Sequence, residues 1–518
     1  MRSTFHLLEV SKRGLFAQQN ALNVTGHNIA NANTEGYTRQ RANMQATRGI
    51  PVPGMNNDRA PGQLGTGVHV TDLQRLREDF LDVQFRNENK RYGYWEAKLD
   101  AIQKIEDIMN EPSETGLQKV MDEMWKAWQD LSQDTRDTSA RAVLRERSIA
   151  VADTFASIYN HLEEVQRDLD NVLGVKVREV DSLARQIAEL NNQIANVVPH
   201  GYQPNDLYDQ RDVLLDKLSK IVSINVTPGD NGMVNVTIEG QALVTGRTSV
   251  AMEAVQNQTT GLLDIRLGGA EFIPTDGELA GILESRGIAT VETVEVDGQP
   301  QQVVTYTGLL PEFKKNLDKL AVNLAREIND LHRTGLSLID INNPGQAPQD
   351  LPFFVDADAL AADPNTKEYP TGANKLVVNP AIIASLDAIA AARPEAGGTA
   401  PEGNNKNALA IAELKYKVIP AGTGPHDFSE TTTLDDFYRN LIGQLGVNGQ
   451  EAERNTLNAE SILSTVDNNR QSVSGVSIDE EMANLIKFQH AYNASARVMT
   501  SMDEILDKVI NGMGRVGL

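Results

Sequence analysis

The most regular apolar pattern in the chain lies at its two ends. Ile478, Leu485, Tyr492, Met499, Leu506 and Met513 recur every seven residues near the C-terminus, as do Leu8, Leu15, Leu22 and Ile29 near the N-terminus. A seven-residue repeat keeps one seam of an α-helix turned toward a partner helix. The spacing predicts a helix over 4–33, closed by the loop from Asn31 to Tyr37, where Asn and Gly tolerate left-handed backbone. A second helix starts at the capping sequence Ser477-Ile-Asp-Glu480 and runs to about residue 513, roughly 50 Å at ~1.5 Å per residue. With the seven-residue series as one row of its seam, the other row is Met482, Gln489, Ala496, Asp503 and Ile510. Its polar members weaken pairing but fix register. On the N-terminal helix the companion positions Lys12, Gln19 and Gly26 are not apolar, so that helix is marginal alone. Two such ends point to helices that pair with each other and with neighbouring molecules, the plan of a polymer subunit. The competing reading makes the rows core stripes of a large helical domain.

Between the ends the period changes several times. Residues 38–72, rich in Pro and Gly, read as extended or irregular, and 73–198 read as helical, with Pro112, Gly116 and Gly174 as the few breakers. Ile102, Ile105, Ile108 and Met109 form one helical stripe; Leu183, Ile187, Leu190 and Ile194 form another. A shorter helix over 206–218 carries Asp209-Gln210-Arg211-Asp212, read as a solvated or intrahelical ion-pair face. Alternation then takes over: Val222, Ile224 and Val226, a Pro-Gly turn, then Val234, Val236 and Ile238 predict a hairpin. Val294 and Val296, Asp297-Gly298, then Val304 and Tyr306 predict a second. Leu310, Phe313, Leu317, Leu320, Leu324, Ile328 and Leu331 make the strongest helical stripe of the middle region. Residues 340–427 turn to Pro, Ala, Gly and Asn. Helix resumes at the capping box Thr433-Leu-Asp-Asp436, is interrupted at Asn448-Gly449, and breaks at Ser474-Gly475.

The expected fold is therefore α+β and multidomain. Its parts are an N-terminal axial helix and extended segment (1–72), a helical domain (73–220) and a mostly β outer domain (221–308). A return helix packed on the helical domain (309–339), a small loop-rich outer lobe (340–427), further helices of the helical domain (428–475) and a C-terminal axial helix (476–518) complete it. The two terminal helices pair in a coiled-coil-like base.

Composition narrows the function. A length of 518 residues exceeds what one growing core accommodates. The formal charge is −23, yet residues 1–48 carry six Lys/Arg against two acids, a net +4, leaving −27 for the rest. So acidic a body repels phosphate backbones, which excludes nucleic acid as the expected partner. The absence of cysteine removes disulfides, thiolate metal sites and Cys nucleophiles, and suits a chain threaded unfolded through a secretion channel. Charge interrupts the N-terminal apolar run at once and no long uncharged apolar stretch follows, so neither a cleaved signal peptide nor a membrane span is expected.

No constellation has the residue types that catalysis requires. The eight histidines form no His-Glu-x-x-His pair, and His332 and His426 read as surface residues. Gly65-Thr-Gly67-Val lacks the Gly-Lys-Ser/Thr ending of a phosphate loop, and Gly-x-Ser-x-Gly is absent. Asp435 and Asp436 are adjacent on a helix, so they point apart and cannot flank a scissile bond. No catalytic residue, cofactor site or metal site is expected.

Two stretches add a resemblance. Asn28-Ile-Ala-Asn31-Ala-Asn33-Thr-Glu-Gly36-Tyr37 resembles the N-terminal signature of flagellar rod, hook and hook-associated proteins, and the segment from Phe488 to Met499 resembles their C-terminal one. Asp209-Gln210-Arg211-Asp212, the segment Asn404 to Ala410 and the segment Ser474 to Met482 look like the hook-associated protein 1 family within that group. The resemblance implies a structural protein that self-associates into a ring between hook and filament, outside the cell, exported through the flagellar type III apparatus without a cleaved signal. It implies contacts with the flagellar hook protein and hook-associated protein 3, and an export chaperone on the C-terminal helix. The assembly interface it implies comprises Leu8, Leu15, Leu22, Ile29, Asn28, Tyr37, Ile478, Met482, Leu485, Tyr492, Met499, Leu506 and Met513. Terminal helices with weak seams are expected to order on assembly. The alternatives are a hook or distal-rod subunit, against which the long helical region 73–198 argues, and an enzyme or adhesin whose 340–427 lobe binds a ligand.

Overall fold

The structure, a computed structural model, describes residues 5–50, 62–296, 299–343, 346–395 and 398–512. Met513, part of the Pro/Gly segment after Ile50 and the Asp297-Gly298 turn lie outside the described residues. The first half begins with helix α1 (His6–Ala30), strands β1 (Gln40–Ala46) and β2 (Val68–Arg75), and helices α2 (Asp79–Met109) and α3 (Leu117–Gln133). Helices α4 (Thr138–Val197) and α5 (Asn205–Ile221) follow. A β-rich stretch holds β3 (Ile224–Pro228), β4 (Val234–Ile238), β5 (Gln241–Thr245), β6 (Thr248–Ser249), β7 (Met252–Gln256), β8 (Leu263–Leu267) and β9 (Ala270–Glu271). After α6 (Glu278–Arg286) come β10 (Ile288–Val296), β11 (Gln299–Thr307) and α7 (Leu309–Thr334). Short elements follow: α8 (Leu338–Asn342), β12 (Phe354–Asp356), α9 (Ala357–Ala362), β13 (Leu376–Val378), α10 (Pro380–Ala384) and α11 (Lys406–Glu413). The chain ends in α12 (Leu434–Ser474) and α13 (Ile478–Gly512).

The protein is mostly helical with several small antiparallel sheets. The spine is α4, 60 residues and so about 90 Å long. Its buried stripe runs from Leu144 to Ala195, and α3, α5, α6, α7 and strands of both larger sheets pack along it. Those sheets are β3-β4-β5-β6 and β7-β8-β9. Both expected hairpins are present. Ile224 pairs with Ile238 in β3–β4, and Ile288 with Thr307 in β10–β11. Alternation made them visible; the shorter β5 to β9, set by turns, were not.

Residues 340–427 form the short, loop-joined elements that their composition suggests, but they have not separated from the helices. Phe353, Phe354, Ile389 and Ala408 are fully buried in the same apolar cluster as Trp128, Phe155 and Leu324. Polar side chains seal that contact. Asn329 exchanges two hydrogen bonds with the Phe354 backbone, and the guanidinium of buried Arg141 donates to the carbonyls of Thr135, Leu386 and Ile389. His332 corrects the expectation of a surface side chain. It is 1% exposed, with Nδ1 on the Leu351 carbonyl at 2.7 Å while Nε2 accepts from Ala390 N at 3.0 Å. Burial depresses its pKa to about 4. His426 is half-buried.

A second correction concerns Asn448-Gly449, which does not interrupt α12. A Cβ at Gly449 would lie 2.6 Å from Glu106 Oε1 and 3.5 Å from Ile102 Cγ2. The glycine permits α12 to cross α2 closely, so it marks a contact and not a turn.

Candidate functional site: the junction of the chain ends with the body

The two chain ends meet. Helices α1 and α13 pack antiparallel, and α1 also lies on β1 and β2. Asn28 faces Glu481, and a Cβ at Gly14 would fall 3.2 Å from Ser495 Oγ, so one stagger holds over fourteen residues of each helix.

The pairing face differs from the expected one. The residues of α1 that are deeply buried are Ser11, Ala17, Ala21, Thr25 and Asn28, whereas Leu8, Leu15, Leu22 and Ile29 are half-buried on the flank. The reason is space. A helix held between α13 and a hairpin must approach both backbones, and small side chains allow it. On α13, Leu485, Tyr492, Met499 and Leu506 are half-buried in the seam. Their companion row is Glu481, Phe488, Ser495 and Met502, not the Met482 row; Gln489 and Asp503 are exposed. Polar Glu481 and Ser495 hide that row from any search for apolar positions. Ile478, Met482, Ile486, Ile505 and Ile510 stand 51–65% exposed on α13, as do Phe5 and Phe16, 56% and 52%, at α1.

At the base of the pair sits a buried polar node. Asn28, 1% exposed, has every polar atom engaged. Its amide donates to the Gln40 carbonyl (2.9 Å) and Glu481 Oε2 (3.0 Å); its Oδ1 accepts from Gln40 N (3.0 Å) and the Tyr37 hydroxyl (2.9 Å). Tyr37 is half-buried, and burial, then the Asp206, Asp209 and Glu481 carboxylates, push its phenol well above the ordinary value. Glu481 also accepts from Arg39 Nε at 2.8 Å, and Arg39 reaches Glu480 at 2.6 Å. The Arg39 amide donates to the Ser474 carbonyl, tying β1's approach to the α12–α13 link. Gly36 closes the loop above. Its φ is +76°, and any Cβ there would collide with Val213 of α5.

The node continues into an ion-pair network that joins the chain ends to the body. Asp209-Gln210-Arg211-Asp212, expected as a solvated or intrahelical ion-pair face, is instead mostly buried and paired with other elements: Asp209, Arg211 and Asp212 are 5%, 5% and 8% exposed. Arg75, at the end of β2, bridges Asp209 (2.9 Å) and Asp212 (2.8 Å). Arg77 clamps Asp82 at 2.6 Å, and Arg86 holds Asp216 at 2.9 Å. Arg470 of α12 reaches Asp216 at 2.5 Å and lies over the Phe85 ring. The Thr38 amide donates to Asp209. Burial pushes the Asp212 carboxyl up, but Arg77, Arg75 and Arg86 outweigh it and hold it below the ordinary carboxylate value. Arg211 turns the other way, donating to Asn191 and the Gly232 carbonyl. The missed signal was periodic: Asp209, Asp212 and Asp216 share one helix face, and Arg75, Arg77 and Arg86 supply the charge to cover it.

Beside the node an open cleft of about 650 Å³ is lined by His27, Tyr37, Glu189, Asp206 and Leu214 among others. His27 Nδ1 and the Tyr37 hydroxyl are hydrogen-bonded in its wall at 2.9 Å. Among the described residues no helix is long and apolar enough to cross a membrane.

The two ends that meet in this paired base match families of flagellar rod proteins. Residues 8–38 fit the family described as flagella basal body rod protein, and 462–512 that of the flagellar basal body rod FlgEFG protein C-terminal. Residues 102–348 fit the flagellar hook-associated protein FlgK helical domain. The chain is 40% identical to flagellar hook-associated protein 1 of Bacillus subtilis, covering 99% of each. It is 26% identical to the protein of that name in Escherichia coli, covering 98% of this chain and 99% of the relative. The flagellar hook junction protein FlgK of Burkholderia pseudomallei shares the fold, with a TM-score of 0.55 at 16% identity, over 75% of this chain and all of that one. The chain belongs to the flagellar hook-associated protein 1 family.

Proposed function

We propose that this protein is a structural subunit of the hook–filament junction, which self-associates into a ring on the distal end of the hook through its terminal helices. The observation that carries the reading is the paired base. Helices α1 and α13 cover each other along one narrow seam and leave large apolar side chains, from Phe5 and Phe16 to Ile478, Met482, Ile486 and Ile510, facing outward. An apolar surface of that kind fits burial against other copies and against the adjoining axial proteins. In this arrangement the terminal helices form the inner tube, and the β segment 221–308 and the segment 340–427 lie outside. The interface draws on Leu8, Leu15, Leu22, Ile29, Ile478, Met482, Leu485, Tyr492, Met499, Leu506 and Met513, while Asn28 and Tyr37 hold the base in shape. Neighbours on the two sides are the hook protein and hook-associated protein 3, with an export chaperone shielding α13 before assembly. The role is structural and extracellular.

The test is electron microscopy of a strain lacking the protein, together with a flagellin assay of the medium. Hooks without filaments and flagellin lost to the medium are expected. Missing hooks would move the protein into the rod or hook, and normal filaments would overturn the reading.

A further inference from the structure

We infer that the Asn28–Glu481 pair is a register pin, the contact that selects one axial stagger of α1 against α13 from several that the rest of the seam would accept. The inference rests on the assembly reading only for its consequence; the stagger is a property of the single chain. The seam itself discriminates poorly. On α1 it presents Ser11, Gly14, Ala17, Ala21 and Thr25, small residues with little relief, while α13 repeats its half-buried side chains every seven positions. Sliding α13 by seven keeps the same rows turned toward α1 but brings Phe488 or Met502 in place of Ser495 opposite Gly14, a size change at one position of the seam.

The pin has no such substitute. Glu481 is the sole carboxylate among the described residues of α13 that is deeply buried, at 2% exposure, and both its oxygens are taken, one by the Asn28 amide and one by Arg39 Nε. Asn28 is fixed in turn by the two-way exchange with the Gln40 backbone and by Tyr37, so it cannot follow a sliding partner. Displacement by seven residues carries Glu481 about 10 Å along α1. It would leave the Asn28 amide, the Arg39 guanidinium and a carboxylate each without the partner that offsets its burial. A single polar contact in a seam can thereby specify register although it adds little to pairing strength. For a subunit whose neighbours meet the outward faces of the same two helices, a 10 Å slip moves every apolar side chain of α13 out of line.

The absence of native cysteine makes the test clean. In the full chain, Gly14→Cys is combined in turn with Ser495→Cys, Phe488→Cys and Met502→Cys, and each purified protein is mildly oxidised. The first pair reports the observed stagger, since a Cβ at Gly14 lies 3.9 Å from Ser495 Cβ, within the range of about 3.5–4.5 Å that a disulfide spans. The other two report slips of seven in either direction. In an otherwise native background only the 14–495 pair closes. With Asn28→Leu and Glu481→Leu added, the slipped pairs rise about tenfold relative to 14–495, a factor equivalent to about 1.4 kcal/mol of lost preference. Glu481→Gln, which keeps the shape and one of the two accepting oxygens but turns the other into a donor, gives a share of slipped pairs between those of the native and doubly substituted chains. Exclusive 14–495 closure in the doubly substituted chain would overturn the inference, because the small-residue seam would then set register unaided. Closure at none of the three positions would overturn it as well, for the node would then supply pairing and not its choice of stagger. None of these outcomes depends on filament formation, so the assembly reading stands or falls separately.

Discussion

Helix α7 and the pair α1–α13 carry equally regular apolar stripes and use them in opposite ways. In α7, Leu310, Phe313, Leu317, Leu320, Leu324 and Ile328 are all 5% exposed or less, enclosed by α4, α6, α11 and α12. In α13, Leu485, Tyr492, Met499 and Leu506 are only half-covered, and Ile478, Met482 and Ile510 more than half exposed. A periodic stripe tells that a helix has a face to bury; it does not tell whether this chain or another will cover it. The body completes its own core, while the base is left partly uncovered.

The sharpest break in this comparison comes from placing a charge on each stripe. Leu324→Asp puts an unpaired carboxylate in a closed core and is expected to cost about 4–5 kcal/mol or more, unfolding the body in a denaturant titration. Leu485→Asp and Leu506→Asp, on the half-covered seam, are expected to block assembly while leaving the melt of the body unchanged.

The network between base and body comes next. Asp212→Ala removes the carboxylate that three guanidiniums share, each of which keeps one other acid, and is expected to lose about 1.5–3 kcal/mol. The native Asp212 carboxyl lies below its unfolded value, so its contribution is present above the ordinary carboxylate pKa and is lost as pH falls through the depressed one. A urea series at falling pH should show that acid-dependent loss shrink in Asp212→Asn.

His332 gives a third effect of opposite origin. Its pKa of about 4 lies below the ordinary 6.5, so the unfolded chain takes up the proton first. Stability should fall by about 3 kcal/mol in all as pH drops from about 6.5 to about 4 and level off below, with no contribution above 6.5. His332→Gln should flatten that segment of the stability–pH curve, whatever its effect at neutral pH.

The mildest test leaves the sequence untouched. Amide exchange in the purified chain should be slow over 310–334, intermediate beside the Asn28–Glu481 node and fast toward His6 and Gly512, where the pair has little behind it. Uniform protection of both terminal helices at the level of α7 would contradict an uncovered base.

Much of the helical layout was legible because long periodic stripes such as that of α7 are read directly from spacing, and both hairpins announced themselves by alternation around turns. The terminal signatures were legible as a resemblance, but their physics was not. Asn28 and Tyr37 were expected at the interface from the resemblance alone, and only the fold shows Asn28 meeting Glu481, 453 residues away in sequence, with the Tyr37 hydroxyl donating to Asn28. The true second row of α13 escaped because it contains Glu481 and Ser495, and the true face of α1 because Ser, Gly, Ala and Thr carry no apolar signal. The buried network was misread for a related reason: charges at helical spacing are most often solvated, and their partners lay on other elements. Gly449 was read as local punctuation although its role is the close passage of α2.

On the proposed function, the outward apolar faces of α1 and α13 are the surface on which subunits meet. The most direct measurement is electron microscopy of flagella from cells whose only copy carries Met482→Asp and Ile486→Asp, exposed positions whose substitution should shift stability by no more than about 0.5 kcal/mol. A folded, exported protein and hooks that bear no filaments are expected. Normal filaments built with that variant would show that these faces are not the interface.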